Sequence, residues 1–367
     1  MIKFCFVSAG HRSIEVLRGD SRNSGGAEAQ LAHLAAALAR HGHAVELCYG
    51  KGLAQAAPGI VTGVHCIDAF PSWKRPSSLL RFWNALWLMK PDVIYTRLPH
   101  DFLWLIRLFT TLHPETRFIY ALANDRFCNP WQAYKHKKWF HNPLYALGLR
   151  MADIVAVQHE QQARMIRKHT GGKLILVPNL LLSTMAQPRN YDQADIDVIW
   201  IALIRPQKQL ALLLDIAEKL PQLHFMIVGG FDGSLVEQEQ RKLKDRINQL
   251  PNVHYAGSQN AAAVLALLKR SKILVNTSSH EGFPNTMLEA WSVGVPVVSL
   301  TVDPGGVIKR TGHGLVSKTI DTMVTDVALL VQTRSLNLEM GACGLNYVRQ
   351  YHSFTTVRQA LLEIGTA

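Results

Sequence analysis

Cysteine is scarce in this chain and poorly placed for chemistry. The five residues, Cys5, Cys48, Cys66, Cys128 and Cys343, are odd in number and include no C-x-x-C pair. That pattern points to a reducing compartment and supplies no thiolate metal site. Histidine is more abundant, at 16 residues, but none fall in an H-E-x-x-H or related spacing, so zinc has no candidate ligand set. No G-x-G-x-x-G follows the first apolar run; "SAGHRS" at 8–13 lacks the spacing, which disfavours a nicotinamide oxidoreductase. No uncharged stretch reaches the ~20 apolar residues that span a bilayer. The apolar run within Met1–Gly10 is too brief for a signal-peptide core and reads better as a first strand.

Acidic charge is also scarce, but only in the first half. Residues 1–190 carry 23 Lys and Arg against 11 Asp and Glu, whereas 191–367 carry 16 against 16, so the first half holds all of the net +12. Six of the eight tryptophans lie there too: Trp73, Trp83, Trp87, Trp104, Trp131 and Trp139. "PSWKRPSSLLRFWNALWLMK", "DFLWLIRLF" and "NPWQAYKHKKWFHNPLY" interleave aromatic rings with Lys and Arg. Such stretches suit an anionic membrane surface, with rings at headgroup depth and cations against lipid. The competing reading is that some of these rings are core, as the i, i+4 spacing of Trp83 and Trp87 indicates. Nucleic acid is not an expected partner, because no DNA- or RNA-binding module is recognisable and the aromatics sit in apolar, helical contexts.

At 367 residues, 48% apolar and 18% charged, the chain suits two soluble globular domains. "KFCFVSA" is a buried-strand run, and the helical stripe Leu31, Leu34, Ala35, Leu38 ends at Gly42. "AVELCY", "PDVIYTR", "RFIYALA", "DIVAVQ" and "LILVPN" then alternate with helical segments. A second cycle runs from "DVIWIALI" through "HFMIVGG", "VHYAG" and "KILVNT" to "PVVSL". The expectation is two doubly wound parallel-sheet domains joined by a linker at 183–195, with ligand bound outside the carboxyl ends of the strands, in a cleft between the domains.

"SSHEGFPNTMLE" at 278–289 sets Glu281 and Glu289 eight positions apart around a predicted helix start. Thr286 and Glu289 stand in the S/T-x-x-E relation of a capping box, which by itself accounts for Glu289. Glu281 precedes the helix in a Gly- and Pro-shaped loop at the end of a strand, where a carboxylate suits a polyhydroxylated ligand whose phosphates meet the helix start.

The segment "EGFPNTMLE", followed by "AWSVGVPVVS", resembles the E-x7-E signature of the family 4 retaining glycosyltransferases of the GT-B fold. Gly25-Gly26-Ala27-Glu28, "VPN" at 177–179, "IVGG" at 227–230 and "NVHYAG" at 252–257 follow the family's order, so the resemblance covers nearly the whole chain. It implies transfer of a sugar from a nucleotide-sugar to an acceptor hydroxyl with the anomeric configuration kept. By the same resemblance Glu289 holds the donor's ribose hydroxyls and Glu281 touches the transferred sugar. The backbone of Gly282, Phe283, Pro284, Asn285 and Thr286 approaches the sugar and diphosphate, and Gly25, Gly26 and Gly229 belong to the donor side.

Departure of a diphosphate requires fixed positive charge. The resembling enzymes typically use basic side chains in place of a metal, so no metal or other cofactor is expected. Arg205 and Lys208 lie at the tip of "DVIWIALI". The family's usual Gly-Arg is Ala202-Leu203 here, and Arg205 is the candidate substitute. Asp125, in "ALANDRF", is read equally as a group orienting the acceptor or sugar and as a turn aspartate, and His100 is a further cleft candidate. Asp195-Ile196-Asp197 matches the D-x-D of metal-dependent transferases of another fold, but lies at the entry of a strand and reads as a linker turn.

The expected architecture is α/β, GT-B, with an acceptor-side domain at 1–190, a donor-binding domain at 191–352 and a final helix at about 353–367 packed back on the first. The expected partners are a nucleotide-sugar, a lipid-linked or saccharide acceptor and an anionic membrane surface, at the cytosolic face of a membrane. A sugar-nucleotide-binding protein without catalysis, and a phosphorylase or epimerase of similar architecture, are the alternatives.

Overall fold

The computed structural model describes residues 1–8, 10–20, 24–50, 59–70, 76–97, 102–133, 141–181 and 187–365. His100, Trp73 and Trp139 lie outside the described residues, as do 182–186. The chain divides into two compact units: Met1–Leu180 together with Val357–Ala367, and Leu181–Thr356.

In the first unit the order is β1 (Lys3–Val7), α1 (Arg12–Leu17), α2 (Gly26–Arg40), β2 (Ala44–Gly50), β3 (Gly59–Val61), β4 (Val64–Phe70), α3 (Pro76–Met89), β5 (Val93–Thr96), α4 (Leu103–Leu112), β6 (Arg117–Ala121), α5 (His141–Met151), β7 (Ile154–Val157), α6 (Glu160–Ile166) and β8 (Lys173–Leu176). The sheet order is β3-β4-β2-β1-β5-β6-β7-β8. All pairs are parallel except β3 with β4, a hairpin turned at Thr62-Gly63, where both residues have positive φ. Continuous apolar runs make these strands because helices cover the sheet. Phe82, Phe109, Phe118, Tyr120 and Tyr145, all buried, bring α3, α4 and α5 onto one face.

The second unit runs β9 (Ile196–Ile201), α7 (Leu210–Lys219), β10 (Phe225–Val228), α8 (Glu237–Gln249), β11 (Val253–Tyr255), α9 (Ala261–Lys269), β12 (Ser271–Asn276), α10 (Asn285–Ser292), β13 (Val297–Ser299), α11 (Val307–Thr311), β14 (Gly314–Val316), α12 (Ile320–Gln332) and α13 (Arg334–Tyr351). The last helix, α14 (Phe354–Gly365), carries the chain back into the first unit. The strands form a parallel sheet of order β11-β10-β9-β12-β13-β14. The order reverses between β9 and β12, which makes the carboxyl end of that pair a topological switch point, the place where such sheets bind ligands.

The sequence-expected linker belongs to the second unit from residue 187 onward. Arg189 donates from Nε to Gly294 O (3.1 Å) and from Nη1 to Lys272 O (2.8 Å), its backbone N–H bonds Val293 O (2.9 Å), and Nη2 bonds Asn337. Burial pushes the Arg189 guanidinium down to about 10. Those carbonyls anchor the strand entry and the end of α10.

Candidate active site

The site of the second unit is built on the loops that leave β9 and β12. After β9 the chain makes a 3-10 turn at Pro206–Lys208, with Gln209 left-handed at φ 52° before α7 begins. After β12 it runs through Thr277–Pro284 into α10. The two loops are stitched together: Ser279 donates from N–H (2.9 Å) and Oγ (3.3 Å) to Gln207 O, and Thr277 Oγ1 donates to Lys208 O (2.7 Å). Trp200 Nε1, in β9, donates to Thr277 Oγ1 (3.0 Å). The Lys208 backbone is therefore fixed before its side chain is considered.

From that anchor, Lys208 Nζ pairs with Glu281 Oε1 across the switch point, and both side chains are largely buried. Arg205 turns to the other flank, where its Nε pairs with Asp232 Oδ2 in the loop after β10. Burial opposes ionisation of Asp232. Hydrogen bonds from Ser234 and the guanidinium of Arg205 outweigh it and hold the carboxyl below its ordinary range. The β9 loop thus hands one cation to each neighbouring loop. Asp232 was not singled out from the sequence; its signal was an aspartate just past the strand, in "VGGFDG".

Glu289 is not a capping residue, which overturns that reading of the sequence. The N-cap of α10 is Pro284 and carries no side-chain cap, so Glu289 lies in the second turn. Proline has no N–H to return a capping-box bond. Among the described residues nothing hydrogen-bonds the Glu289 carboxyl, and burial raises it from 4.5 to about 7. The side chain is half-buried. Helix α10 is held rigidly beneath it. Trp291 is fully buried and donates to His313 O (3.0 Å), and Gly341 and Gly344 let α13 approach, since an added Cβ would lie 2.2 Å from Gly294 O and 2.6 Å from Trp291 Cδ1.

The remaining candidates divide by role. Phe283 points inward, against Trp291 (6.3 Å between centroids) and His352 (5.0 Å), so only its backbone can meet a ligand. Gly282 and Pro284 are buried with it, while Asn285 and Thr286 are half-exposed at the helix start. Gly229, at φ 144°, lies where a Cβ would be 1.7 Å from Ala202 O, so it serves close approach of β9 and β10 at their carboxyl tips. The D-x-D carboxylates are ion-paired, Asp195 with Arg270 and Asp197 with Lys272 (2.8 Å), at the opposite end of β9. Among the described residues no group of three or more His, Cys, Asp and Glu could hold a metal ion.

In the first unit Gly25 is the N-cap of α2 and Gly26 its first residue. Asp125 follows β6, where its Oδ1 accepts from Gln162 Nε2 (2.8 Å) and contacts His159 Nε2 (3.2 Å). The capping residue of that turn is Asn124, whose side chain accepts from Arg126 N. The network continues inward: Gln162 donates to Gln158, and both Gln158 and the buried Arg97 donate to Asn179 Oδ1 (2.8 and 2.5 Å). These partners of Asp125 were missed in the sequence, where "QHEQQ" after a β-run reads as an ordinary polar helix start, with His159 as the N-cap of α6.

Two family models match in tandem. Residues 25–179 match "Glycosyl transferase 4-like domain" and residues 195–333 match "Glycosyl transferases group 1", which together account for most of the chain. The chain belongs to the glycosyltransferases of the GT-B fold. An uncharacterized glycosyltransferase of Methanocaldococcus jannaschii is 28% identical over 243 residues, 59% of this chain and 57% of that protein. The glycosyltransferase 1 domain-containing protein 1 of Xenopus tropicalis is 27% identical over 143 residues, 38% and 40% of the two chains. This chain therefore spans about half the length of the curated relatives it matches. Among solved structures, a sucrose-phosphate synthase from Thermosynechococcus elongatus superimposes with a TM-score of 0.80 at 15% identity over 99% of this chain and 98% of that one. Anabaena HepE, solved with UDP and glucose, gives 0.74 at 15% identity over 99% of each. Within this GT-B glycosyltransferase the switch-point loops of the second unit lie inside the group 1 match, and Asp125 with its buried network lies inside the 4-like match.

Proposed function

We propose that this chain is a retaining, metal-independent glycosyltransferase that moves a sugar from a nucleotide-sugar, a UDP- or GDP-sugar, to an acceptor hydroxyl. Its setting is lipopolysaccharide, exopolysaccharide or other glycan assembly on the cytosolic face of a membrane, with a lipid-linked or saccharide acceptor. The observation that carries the reading is the Lys208–Glu281 pair at the switch point, beside the start of α10, the helix that carries Glu289, whose carboxyl has no hydrogen-bond partner among the described residues. Ionised, Glu289 accepts from ribose hydroxyls and Glu281 accepts from hydroxyls of the sugar. Engagement of Glu281 by the sugar loosens its hold on Lys208, whose ammonium, with Arg205 and the N–H groups of the α10 start, meets the negative charge that develops on the departing diphosphate. HepE bound to UDP and glucose supports the donor class. Asp125, with His159 and Gln162 fixing its orientation, is the first-unit candidate for positioning a hydroxyl.

A thermal-shift panel of UDP-, GDP- and ADP-sugars tests the donor, followed by measurement of free nucleotide released with an acceptor present. Stabilisation by a UDP- or GDP-sugar with nucleotide release supports the proposal. Stabilisation without release would leave a sugar-nucleotide-binding protein, the reading that Leu203 in place of the usual arginine favours, and no stabilisation by any donor would overturn both.

A further inference from the structure

The solvent face of α3 and α4 is apolar where a soluble helix is ordinarily polar. On α3 the outward residues include Leu80, Trp87 and Leu88, and on α4 they are Trp104, Leu108 and Leu112 at i, i+4 and i+8. All six are between 40% and 87% exposed. The two helices lie side by side on one face of the first sheet, joined by Trp83 against Phe109 (5.7 Å between centroids) and Trp87 against His113 (4.7 Å). The stripes are therefore neighbours. Scattered exposed leucines need no explanation, but six large apolar side chains on two adjacent helices mark an interaction surface.

Charge identifies the partner. Neither helix contains an Asp or a Glu, and Arg81 on α3 is exposed. Arg107 on α4 is ion-paired with Asp153 (2.7 Å), and Glu115, beyond the end of α4, pairs with His113. Lys90 follows α3 at the surface. The half of the sequence that holds both helices carries the whole positive excess of the chain. Helix α8 of the second unit, exposed like these, reads EQEQRKLKDRINQ and shows what a water-facing helix of this protein looks like. No described helix is long and apolar enough to cross a membrane. An apolar face whose two helices carry no carboxylate, flanked by the exposed Arg81 and Lys90, fits the plane of an anionic bilayer, with tryptophan at headgroup depth and leucine in the acyl boundary.

We propose that the α3–α4 face is a docking surface for an anionic lipid bilayer, which Leu80, Trp87, Leu88, Trp104, Leu108 and Leu112 enter. The inference rests on the membrane half of the proposed function and is independent of the donor. Co-sedimentation of the full chain with phosphatidylcholine vesicles, and with vesicles in which phosphatidylglycerol replaces part of the phosphatidylcholine, tests it. Binding is expected to the anionic vesicles, to weaken with added salt, and to fall by ~10-fold or more in Leu88→Ser/Leu108→Ser. Both positions are exposed, so the variant folds, which an unchanged melting temperature checks. Absence of binding to either vesicle overturns the proposal, as does equal binding by the variant. A wild-type chain that is dimeric without lipid and becomes monomeric in the same variant also overturns it, because the face then belongs to a second copy. Thermal shift by a nucleotide-sugar, read separately on the variant, reports on the donor site and is expected to be unchanged.

Discussion

Lys208 reaches Glu281 from the loop after β9 to the loop after β12, so the cation proposed for the leaving group rests against the carboxylate proposed for the sugar. Removing one partner of a largely buried pair strands the other. Lys208→Ala is accordingly expected to lower kcat by ~10²–10³-fold while donor affinity changes much less, because the ammonium acts on charge present mainly in the transition state. Lys208→Ala/Glu281→Gln is expected to be less impaired than the product of the single variants, since the neutral amide no longer leaves a buried charge unpaired. Initial-rate kinetics on the two singles and the double decide this, and strict multiplicativity would count against coupling.

If Glu289 holds the donor's ribose as proposed, donor binding depends on pH near neutrality. Burial raises its carboxyl to about 7, whereas an unfolded glutamate titrates near 4.5. The folded chain thus binds more protons across that interval, and its stability falls as pH rises from about 4.5 to about 7 and is level above. Donor binding has the opposite sign, because ribose hydroxyls need an ionised acceptor. Below about 7 the affinity is expected to fall by ~10-fold per pH unit, and to level off above it. Glu289→Gln is expected to bind weakly at every pH with that dependence gone. Titration calorimetry with UDP between pH 5.5 and pH 8.5, about the range that brackets the transition, reads both features.

Much of the fold was legible because buried parallel strands announce themselves as apolar runs. Every strand named from the sequence is present, from β1 to β13, and the reversal of the strand order locates the switch point. The hairpin β3–β4 and the short β14 were not read. β3 and β14 have three residues each, too few for periodicity to register, and β4 sets His65 and Asp68 among its apolar residues, which breaks the run. The glutamate pair was legible as a spacing, but the role of Glu289 was not. S/T-x-x-E looks the same whether or not a cap forms, and only the placement of Pro284 at the N-cap removes that reading. Long-range partners such as Asp232 for Arg205 or His159 for Asp125 depend on which strand tips become neighbours, which no local pattern encodes.

Asp232 determines where Arg205 points. If the guanidinium stands in for the arginine that Leu203 replaces, Asp232→Asn is expected to lower kcat/KM by ~10-fold through loss of its aim, with Arg205→Ala at least as low and Arg205→Ala/Asp232→Asn no lower than Arg205→Ala. The stability cost of losing this partly exposed pair is small, about 1 kcal/mol or less. Unchanged kcat/KM in Asp232→Asn, accompanied only by a small drop in melting temperature, would assign the pair to holding the β9 and β10 loops together.

Two glycines proposed for the donor side are expected to fail in different ways. At Gly229 a methyl group would sit 1.7 Å from Ala202 O in a backbone at φ 144°, and neither the strand nor the carbonyl can yield without breaking the bond from Ala202 N–H to Val228 O. Gly229→Ala is therefore expected to cost about 3 kcal/mol or more and to lower the melting temperature of the second unit sharply. At Gly25 the backbone is ordinary, φ −79°, and the added methyl would meet only the carboxylate of Glu28, the far end of a flexible side chain. Gly25→Ala is expected to fold with nearly unchanged stability. If the start of α2 meets the donor's phosphates, its donor affinity falls nonetheless, because the methyl group narrows the approach to the backbone N–H groups. Thermal melts and UDP titrations on both variants separate the cases, and equal losses of stability at the two positions would remove Gly25 from the donor side.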